Sequence, residues 1–372
     1  MSANCQKYDN SKSINKDASS VGLSLNIDSG RVDKYILARM AQSKIPAISI
    51  GIVYKGDLIY ANAYGKANLE HNIALKPESP FKLASLTKPF TAFAILQLFE
   101  KGKIKLDEKA SFYLKNLPIK WETITVRQLL SHTSGLADYF QSPDWSWQNS
   151  WRLDLSHKEF IAMNEKSPII FSPGERMQYC NTNYYLLGMI IEVITGKSYN
   201  QYLKEEIFEP LGMSHTQIDK SEMLISDRVN GYTLSDKKLL NAEYTSNTWA
   251  YSEGGLISTV EDLAKFDKAL YSEALLRKET IKEMWSPSKL KNGKEGVIGD
   301  NGAGNPNHYG LGWFLSDYKG HKLTLAGGNK PGFTCTYFHF EDKSLSIIIL
   351  SNLSSSPLYP MAGEIAEMYL NW

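Results

Sequence analysis

The sequence predicts an α+β protein with an antiparallel β-sheet flanked by helices and an inserted all-helical lobe. Strand-like alternation is confined to the two ends of the chain, at about residues 45–64 and 309–350, and helical patterns fill the middle. The strands near each end are joined by short turns, which connect antiparallel neighbours. The two ends are therefore expected to share one sheet.

The composition fits a globular chain of two lobes. It has 372 residues, 42% of them hydrophobic and 22% charged, and chains of this length usually divide into two packed units. We assign residues 22–84 and 252–372 to the sheet domain and residues 85–251 to the helical domain. Residues 1–21 are polar, lack the apolar core of a secretory signal, and are expected to form a disordered tail. The protein is then extracytoplasmic, in the periplasm or at the cell surface, if a signal has been removed, and cytoplasmic if the chain is complete.

The charge balance argues against several classes of partner. Lys and Arg total 41 against 40 Asp and Glu, a formal charge of +1, so no basic excess is available for nucleic acid. The longest apolar runs are far shorter than the roughly 20 residues of a bilayer span. Three cysteines are too few for a disulfide framework and lack zinc-site spacing. We expect a monomer that binds a small-molecule or peptidic substrate, with no metal, cofactor, nucleic acid or membrane span.

The N-terminal elements are a helix and a hairpin. Apolar residues at helical spacing predict a helix over residues 32–41. Alternation then predicts strands at 45–54 and 57–64, separated by the two-residue turn Lys55-Gly56.

The middle of the chain carries helix signals. Three capping-box patterns mark helix starts, namely Thr125 with Gln128, Ser198 with Gln201, and Ser258 with Glu261. Gly102, Gly135 and Gly196 stand where helices are expected to end. Weak periodicity over residues 221–251 and 291–308 predicts long surface loops.

The C-terminal part returns to strands. Alternation predicts strands at 311–315, 322–325, 334–340 and 344–350, and a last helix at 364–370.

Ser85 is the first candidate for chemistry. Ser85 and Lys88 are three residues apart, so on a helix they share one face. Pro89 is tolerated only near a helix start, which puts Ser85 beside unpaired amides and the positive end of the dipole. The arrangement suits a nucleophile, and a simple helix N-cap is the alternative.

Tyr179 and Asn181 form the second candidate pair, just before an apolar helix. A lysine ammonium beside Tyr179 is expected to lower the pKa of its hydroxyl, so that the phenolate accepts and returns the serine proton. Asn181 offers an amide that holds substrate or orients Lys88. Cys180 between them is expected to be a packed core thiol.

The third candidate is a strand that contains Gly327, Gly328 and Asn329. Adjacent glycines in a strand often mark close approach by another backbone or a ligand, and a bulge is the alternative. A backbone amide here can pair with that of Ser85 as an oxyanion hole.

Two other features have a structural interpretation that competes with a functional one. His132 is expected to cap the end of a helix rather than to act in catalysis. Five aromatic residues, Tyr139, Phe140, Trp145, Trp147 and Trp151, either line an apolar substrate cleft or anchor a loop.

Several blocks resemble the serine beta-lactamase-related family, which includes class C beta-lactamases, DD-peptidases and esterases. The blocks are FKLASLTKPF at 81–90, ITVRQLLSHTSGL at 124–136, YCN at 179–181, IFEPLGM at 207–213, GGLISTVEDL at 254–263 and YGLGW at 309–313. The resemblance runs from about residue 45 to 352 and implies a beta-lactamase/transpeptidase-like fold.

The resemblance also implies a chemistry. Ser85 would attack a carbonyl and form an acyl-enzyme, Lys88 and Tyr179 would move protons, and water would release the acyl group. The amides of Ser85 and Asn329 would form the oxyanion hole, with Asn181 and Gly328 in the substrate site. Either Lys88 or Tyr179 is the base. The implied function is a serine hydrolase that cleaves an amide or ester; a carboxylesterase of the same family and a non-catalytic binding homologue are the alternatives.

One position departs from the family pattern. The third motif begins with Lys or often His in this family, and here that position is Ala326. Lys330 is four residues on, roughly 13 Å along a strand, and His321 lies on the other strand face. The departure weakens the expectation of beta-lactam or D-Ala-D-Ala carboxylate recognition.

Overall fold

The computed structural model describes residues 28–146, 150–246, 248–300 and 306–370. The expected tail at residues 1–21 lies outside this range. The α-helices are α1 Ser29–Ser43, α2 Lys88–Glu100, α3 Ala110–Tyr113, α4 Val126–Leu130, α5 His157–Glu165, α6 Asn181–Thr195, α7 Tyr199–Leu203, α8 Glu209–Leu211, α9 Tyr251–Gly254, α10 Val260–Ser272, α11 Lys278–Met284 and α12 Leu358–Leu370. A π-helical segment, Lys204–Phe208, joins α7 to α8.

The strands are β1 Ala47–Tyr54, β2 Asp57–Asn68, β3 Ile73–Ala74, β4 Phe81–Lys82, β5 Gln217–Ile218, β6 Tyr232–Ser235, β7 Lys238–Asn241, β8 Leu256–Ser258, β9 His308–Tyr309, β10 Phe314–Tyr318, β11 His321–Lys330, β12 Phe333–Phe340 and β13 Leu345–Ser351. Eight of them form one sheet in the order β3-β2-β1-β13-β12-β11-β10-β9. Every pair in it is antiparallel, and β1 lies beside β13, so the two ends of the chain share the sheet. The α+β class with an antiparallel sheet and flanking helices is confirmed.

The sheet has two apolar faces because its strands alternate. In β13, Ile347 and Ile349 pack with α1 and α12 in one core cluster. Ile348 and Leu350 face the opposite way and join the larger cluster, which contains α2, α6 and α10. Central strands buried on both faces are continuously apolar, which is why β13 shows no polar alternation.

The helical middle packs around α2. Residues 88–98 of that helix are all buried, and they pack against α6 and α9. A helix that is apolar on every side is a core helix rather than a surface one. The boundaries between the two lobes stay a prediction. No helix in the described residues is long and apolar enough to span a membrane.

Two of the three predicted helix starts are confirmed, and the third is shifted by one residue. Thr125 and Gln128 form a reciprocal capping box at the start of α4, and the side chain of Ser198 accepts from the amide of Gln201. The third prediction is wrong by one residue, because Thr259 caps α10 and accepts from the amide of Asp262.

Two other expectations are corrected. Residues 221–251 contain the β6–β7 hairpin as well as loop. Gly135 does not end a helix, since α4 ends at Leu130; its backbone has a φ of 76°, and a Cβ there would lie 2.0 Å from the carbonyl oxygen of Phe171.

Candidate active site

Ser85 lies in a 3-10 turn, Ala84–Thr87, that leads directly into α2. Pro89 occupies the first turn of α2, where its missing N–H leaves no donor unpaired. Ala84 has a φ of 47°, a left-handed backbone that sets the sharp entry into the turn. Ser85 is partly exposed, whereas the residues around it are buried. The serine hydroxyl is therefore presented at a helix start, as the spacing predicts.

Strand β11 passes close to the backbone of this turn. A Cβ on Gly328 would lie 2.2 Å from the carbonyl oxygen of Leu83 and 2.8 Å from the amide nitrogen of Ser85. Only glycine permits this approach. On the neighbouring strand, the Cys335 thiol donates to the same Leu83 carbonyl at 2.9 Å. The backbone of Gly328 and Asn329 thus runs beside the amide of Ser85, while the Asn329 side chain is turned to Ser355.

Lys88 is buried and has four polar neighbours. Its side chain is 1% exposed. Its Nζ lies 2.8 Å from Asn181 Oδ1, 2.9 Å from the Glu253 carbonyl oxygen and 2.8 Å from Glu253 Oε2. Ser85 Oγ is the most distant of the four, at 3.1 Å. The amine therefore contacts Ser85, the predicted nucleophile, but its three shorter contacts are to Asn181 and Glu253.

Asn181 begins α6, and its amide is engaged at both ends. Asp138 Oδ2 accepts from the backbone amide of Asn181 at 2.7 Å and from its Nδ2 at 3.0 Å. A carboxylate only accepts, so this contact turns the Nδ2 to Asp138 and the Oδ1 to Lys88. The expectation that Asn181 orients Lys88 agrees with this geometry. A contact of Asn181 with substrate stays a prediction.

Tyr179 contacts both members of the Ser-x-x-Lys pair. Its hydroxyl faces Ser85, and its ring centroid lies 4.9 Å from Lys88 Nζ. The expected lowering of its pKa is wrong. Burial raises the pKa of Tyr179 well above 10, and the negative charges of Glu253 and Asp138 add to this, although the Ser85 hydrogen bond opposes it.

Glu253 was not identified from the sequence. It lies in the one-turn helix α9, and its side chain is 8% exposed. Its Oε2 pairs with Lys88, and its Oε1 accepts from the hydroxyl of Tyr139 at 2.8 Å. The adjacent Gly254-Gly255 lies in one of the blocks that resemble the family, and it is the only local signal near Glu253. Glu253 places a negative charge beside the Lys88 ammonium, so the positive charge of Lys88 does not act alone on the pKa of the Tyr179 hydroxyl.

His132 is a buried neighbour of Tyr179. It is fully buried, and its ring packs against that of Tyr179 at a centroid distance of 4.4 Å, with the two planes tilted by 35°. Its Nδ1 accepts from the backbone amide of Cys180 at 3.2 Å, so it does not cap helix carbonyls as expected. Burial and the charge of Lys88 lower the pKa of His132 well below 6.5. The imidazole is neutral and holds the Tyr179-Cys180 segment; Cys180 is a buried thiol, whose pKa burial raises.

The third motif provides no cation at its first position. Ala326 is 4% exposed and belongs to the large apolar cluster. Lys330 lies on the same face of β11 but is buried near Lys82 and Asp219, and burial together with Lys82 lowers the pKa of Lys330 to about 7. His321, at the far end of β11, hydrogen-bonds Asp342.

Some of the predicted aromatic residues form a packed cluster. Tyr139, Phe140 and Trp145 contact one another, with ring centroids 4.3–5.4 Å apart. Trp249 closes the cluster against Tyr139 and Trp145. Trp147 and the side chain of Trp151 lie outside the described residues. The packing of the other three favours the loop-anchoring interpretation.

A metal site would need several ligating side chains together. Among residues 28–146, 150–246, 248–300 and 306–370, no group of three or more His, Cys, Asp or Glu is placed to hold an ion.

The family model described as Beta-lactamase matches residues 32–367. Penicillin-binding protein 4* of Bacillus subtilis (strain 168) is 33% identical over 329 residues, which cover 82% of this chain and 68% of that protein. With 68% and 66% coverage of the first two curated relatives, the chain spans about two thirds of their length.

Solved structures give the same assignment. The octameric penicillin-binding protein homologue from Pyrococcus abyssi has a TM-score of 0.79 and 31% identity, and the match covers 93% of this chain and 78% of that one. The D-amino acid amidase from Ochrobactrum anthropi SV3 has a TM-score of 0.72 and 26% identity, over 87% of this chain and 91% of that one.

Proposed function

Because the chain belongs to the beta-lactamase family, we propose that it is a serine hydrolase that forms an acyl-enzyme on Ser85. The observation that supports this most is the position of Ser85 Oγ. Ser85 is partly exposed, its Oγ lies 3.1 Å from Lys88 Nζ, and the hydroxyl of Tyr179 faces it. A nucleophile with two proton-handling groups in contact is the arrangement that acyl transfer requires.

The reaction would proceed in two halves. Ser85 Oγ bonds to the carbonyl carbon of an amide or ester, and its proton passes to Lys88 or Tyr179. The carbonyl electron pair moves onto oxygen, where the backbone amides of Ser85 and Asn329 donate to the oxyanion. Collapse expels the amine or alcohol, which takes up a proton from the same pair of side chains. Water then attacks the acyl-enzyme and restores the serine.

The substrate class follows from the third motif. Ala326 is apolar and buried where family members have a cation, so we propose a substrate without an essential carboxylate at that point. Relatives are named as a penicillin-binding protein and a D-amino acid amidase, which supports a small amide or peptide. An esterase remains the second enzymatic candidate. A monomer stays a prediction, since one relative is described as octameric.

A covalent label tests the proposal. The chain is incubated with a fluorophosphonate, or with a penicillin, at pH values from 6 to 10, and its intact mass is measured. We expect one adduct on Ser85. The variant Ser85→Ala should give none and lose all turnover, with an almost unchanged melting temperature, because a partly exposed hydroxyl contributes little to packing. A folded wild-type chain that is unlabelled at every pH would contradict the proposal.

The same experiment distinguishes the alternatives. A non-catalytic homologue, suggested by Ala326, would bind without forming an adduct. A hydrolysis panel of nitrocefin, D-Ala-D-Ala peptides, D-amino acid amides and short acyl esters then separates amidase from esterase activity. Turnover confined to the acyl esters would favour the esterase.

A further inference from the structure

We propose that Glu253 is a positioning residue that holds the Ser85 centre in its protonated form, so that acylation is shifted to alkaline pH. The inference rests on the proposed function and goes beyond it, because it assigns a role to a residue outside the three family motifs. It predicts that an isosteric, neutral substitution at Glu253 makes Ser85 more reactive near neutral pH.

The first support is a count of protons on Lys88. An ammonium has three N–H donors and no acceptor. Asn181 Oδ1, the Glu253 carbonyl oxygen and Glu253 Oε2 are three acceptors at 2.8–2.9 Å from Nζ. Ser85 Oγ, at 3.1 Å, is a fourth acceptor, so four oxygen atoms surround the three protons of the ammonium and no lone pair of Lys88 is directed at Ser85. A neutral amine would leave one of these buried oxygen atoms without a donor.

The second support is how firmly Glu253 is held. Its Oε1 accepts from Tyr139, which is fully buried, so the carboxylate cannot rotate away from Lys88 without leaving that hydroxyl unpaired. Glu253 contributes two of the three closer acceptors, one from its side chain and one from its backbone. The pair is a buried, fully hydrogen-bonded ion pair, in which each charge stabilises the other.

The third support comes from Tyr179, the other possible base. Its hydroxyl faces the same cluster, and the negative charge of Glu253 opposes formation of the phenolate. Other charged or titratable groups also face the cluster. They are Asp138 and Tyr139 before α5, His132 after α4, Tyr184 of α6, Tyr309 of β9, Lys330 of β11 and Tyr359 of α12.

These contacts give one consequence for the reaction. To accept the Ser85 proton, the centre must first release a proton, either from Lys88 or from Tyr179. The carboxylate of Glu253 disfavours both releases. Without that charge, the Tyr179 hydroxyl has one negative neighbour fewer and the Lys88 ammonium loses the carboxylate that pairs with it at 2.8 Å, so the centre gives up a proton more readily.

The test compares acylation rates over pH. Wild type and Glu253→Gln are labelled with a fluorophosphonate at a series of pH values from 5 to 10.5, and the second-order rate constant for the Ser85 adduct is obtained from intact mass. We expect the midpoint of the rising limb to lie about one pH unit or more lower in Glu253→Gln. Below the wild-type midpoint, the variant should therefore react about tenfold faster or more.

Two controls separate the charge from packing. Glu253→Asp retains the carboxylate and should keep a midpoint near that of the wild type, even if its rate falls. Asp262→Asn removes a different buried carboxylate that pairs with a lysine at 2.8 Å and is not among the groups that face Lys88. It should lower the melting temperature and leave the midpoint unchanged.

The outcomes are distinct. If Glu253 instead accepts the serine proton through Lys88, Glu253→Gln loses neutral-pH reactivity and its midpoint rises, which overturns the proposal. Superimposed profiles for wild type and Glu253→Gln overturn it as well. If neither protein is labelled at any pH, the proposed function fails, and the inference fails with it.

A second measurement uses the wild type and does not depend on how the variant folds. In protein labelled with ¹⁵N-lysine, the Nζ signal of Lys88 is assigned by its absence from Lys88→Met. We expect an ammonium signal at neutral pH. An amine signal at neutral pH would overturn the proposal.

Discussion

The contact between β11 and the nucleophile turn leads to a specific prediction for Gly328→Ala. The substitution adds one methyl group and leaves every titratable group in place. The added Cβ would lie 2.2 Å from the carbonyl oxygen of Leu83 and 2.8 Å from the amide nitrogen of Ser85, both backbone atoms. Neither can rotate away, so the strand and the turn must separate.

The size of the separation sets the expected effect. An ordinary contact to a Cβ is 3.4 Å or more, so the strand must move by about 1 Å from Leu83. Hydrogen bonds to an oxyanion span roughly 2.7–3.1 Å, so such a shift removes one of the two proposed donors, the backbone amides of Ser85 and Asn329. Loss of one donor costs about 2.7–4 kcal/mol, or about 10²–10³ in rate. Overpacking should lower the free energy of unfolding by ~1–3 kcal/mol.

The assay is the rate of Ser85 acylation by a fluorophosphonate at the pH optimum of the wild type, together with urea unfolding. Gly327→Ala is the matched control in the same strand. Its Cβ would meet the hydroxyl of Tyr359 at 2.5 Å, the far end of a side chain that is 42% exposed, and the carbonyl oxygen of Cys335 at 3.0 Å; none of its three nearest atoms belongs to the turn that carries Ser85. The control should acylate within a few fold of wild type. If Gly328→Ala does the same, the close approach does not form the oxyanion site.

Two further predictions concern stability. The pKa of Lys330, lowered to about 7 by burial and by Lys82, lies below that of an unfolded lysine, near 10.5. Between these values the unfolded chain keeps a proton that the folded chain has released, so the free energy of unfolding rises with pH, by up to ~1.4 kcal/mol per unit. Urea titrations of Lys330→Met from pH 7 to 10 should lack this slope and give higher stability at pH 7; parallel slopes would contradict it. Thr125→Ala breaks the capping box with Gln128 and should cost ~1 kcal/mol, read from the same titrations; a loss below ~0.3 kcal/mol would show that the cap is dispensable.

The parts of the fold that depend on local sequence patterns were predicted correctly. The sheet order follows from alternation at the two ends of the chain and from short turns between neighbouring strands. The β6–β7 hairpin was missed because its turn, Asp236-Lys237, has no glycine, although both residues adopt positive φ values of 48° and 64°. Those backbone angles usually favour Asn or Gly, so the sequence carried no turn signal.

The same distinction between local patterns and tertiary contacts applies to the residues of the candidate site. Ser85 and Lys88 meet because three residues make about one helical turn, which sequence spacing specifies directly. Glu253 is 165 residues from Lys88 along the chain, and its one-turn helix has no periodicity. The pairing depends on how α9 packs against α2, a tertiary contact that no local pattern encodes. The pKa of Tyr179 was predicted in the wrong direction because local sequence shows neither the burial of its hydroxyl nor the carboxylate of Glu253 near it.

The missing cation at position 326 and the carboxylate of Glu253 have a common electrostatic effect. A family-like centre would combine the Lys88 ammonium with a second cation at position 326, and both would attract an anionic substrate. Here Ala326 adds no charge, and Glu253 pairs with Lys88 at 2.8 Å. Asp138 adds a further carboxylate behind Asn181. The field at Ser85 therefore lacks a positive excess from these groups, which supports the proposed neutral amide or ester substrate over a carboxylate-bearing beta-lactam or peptide.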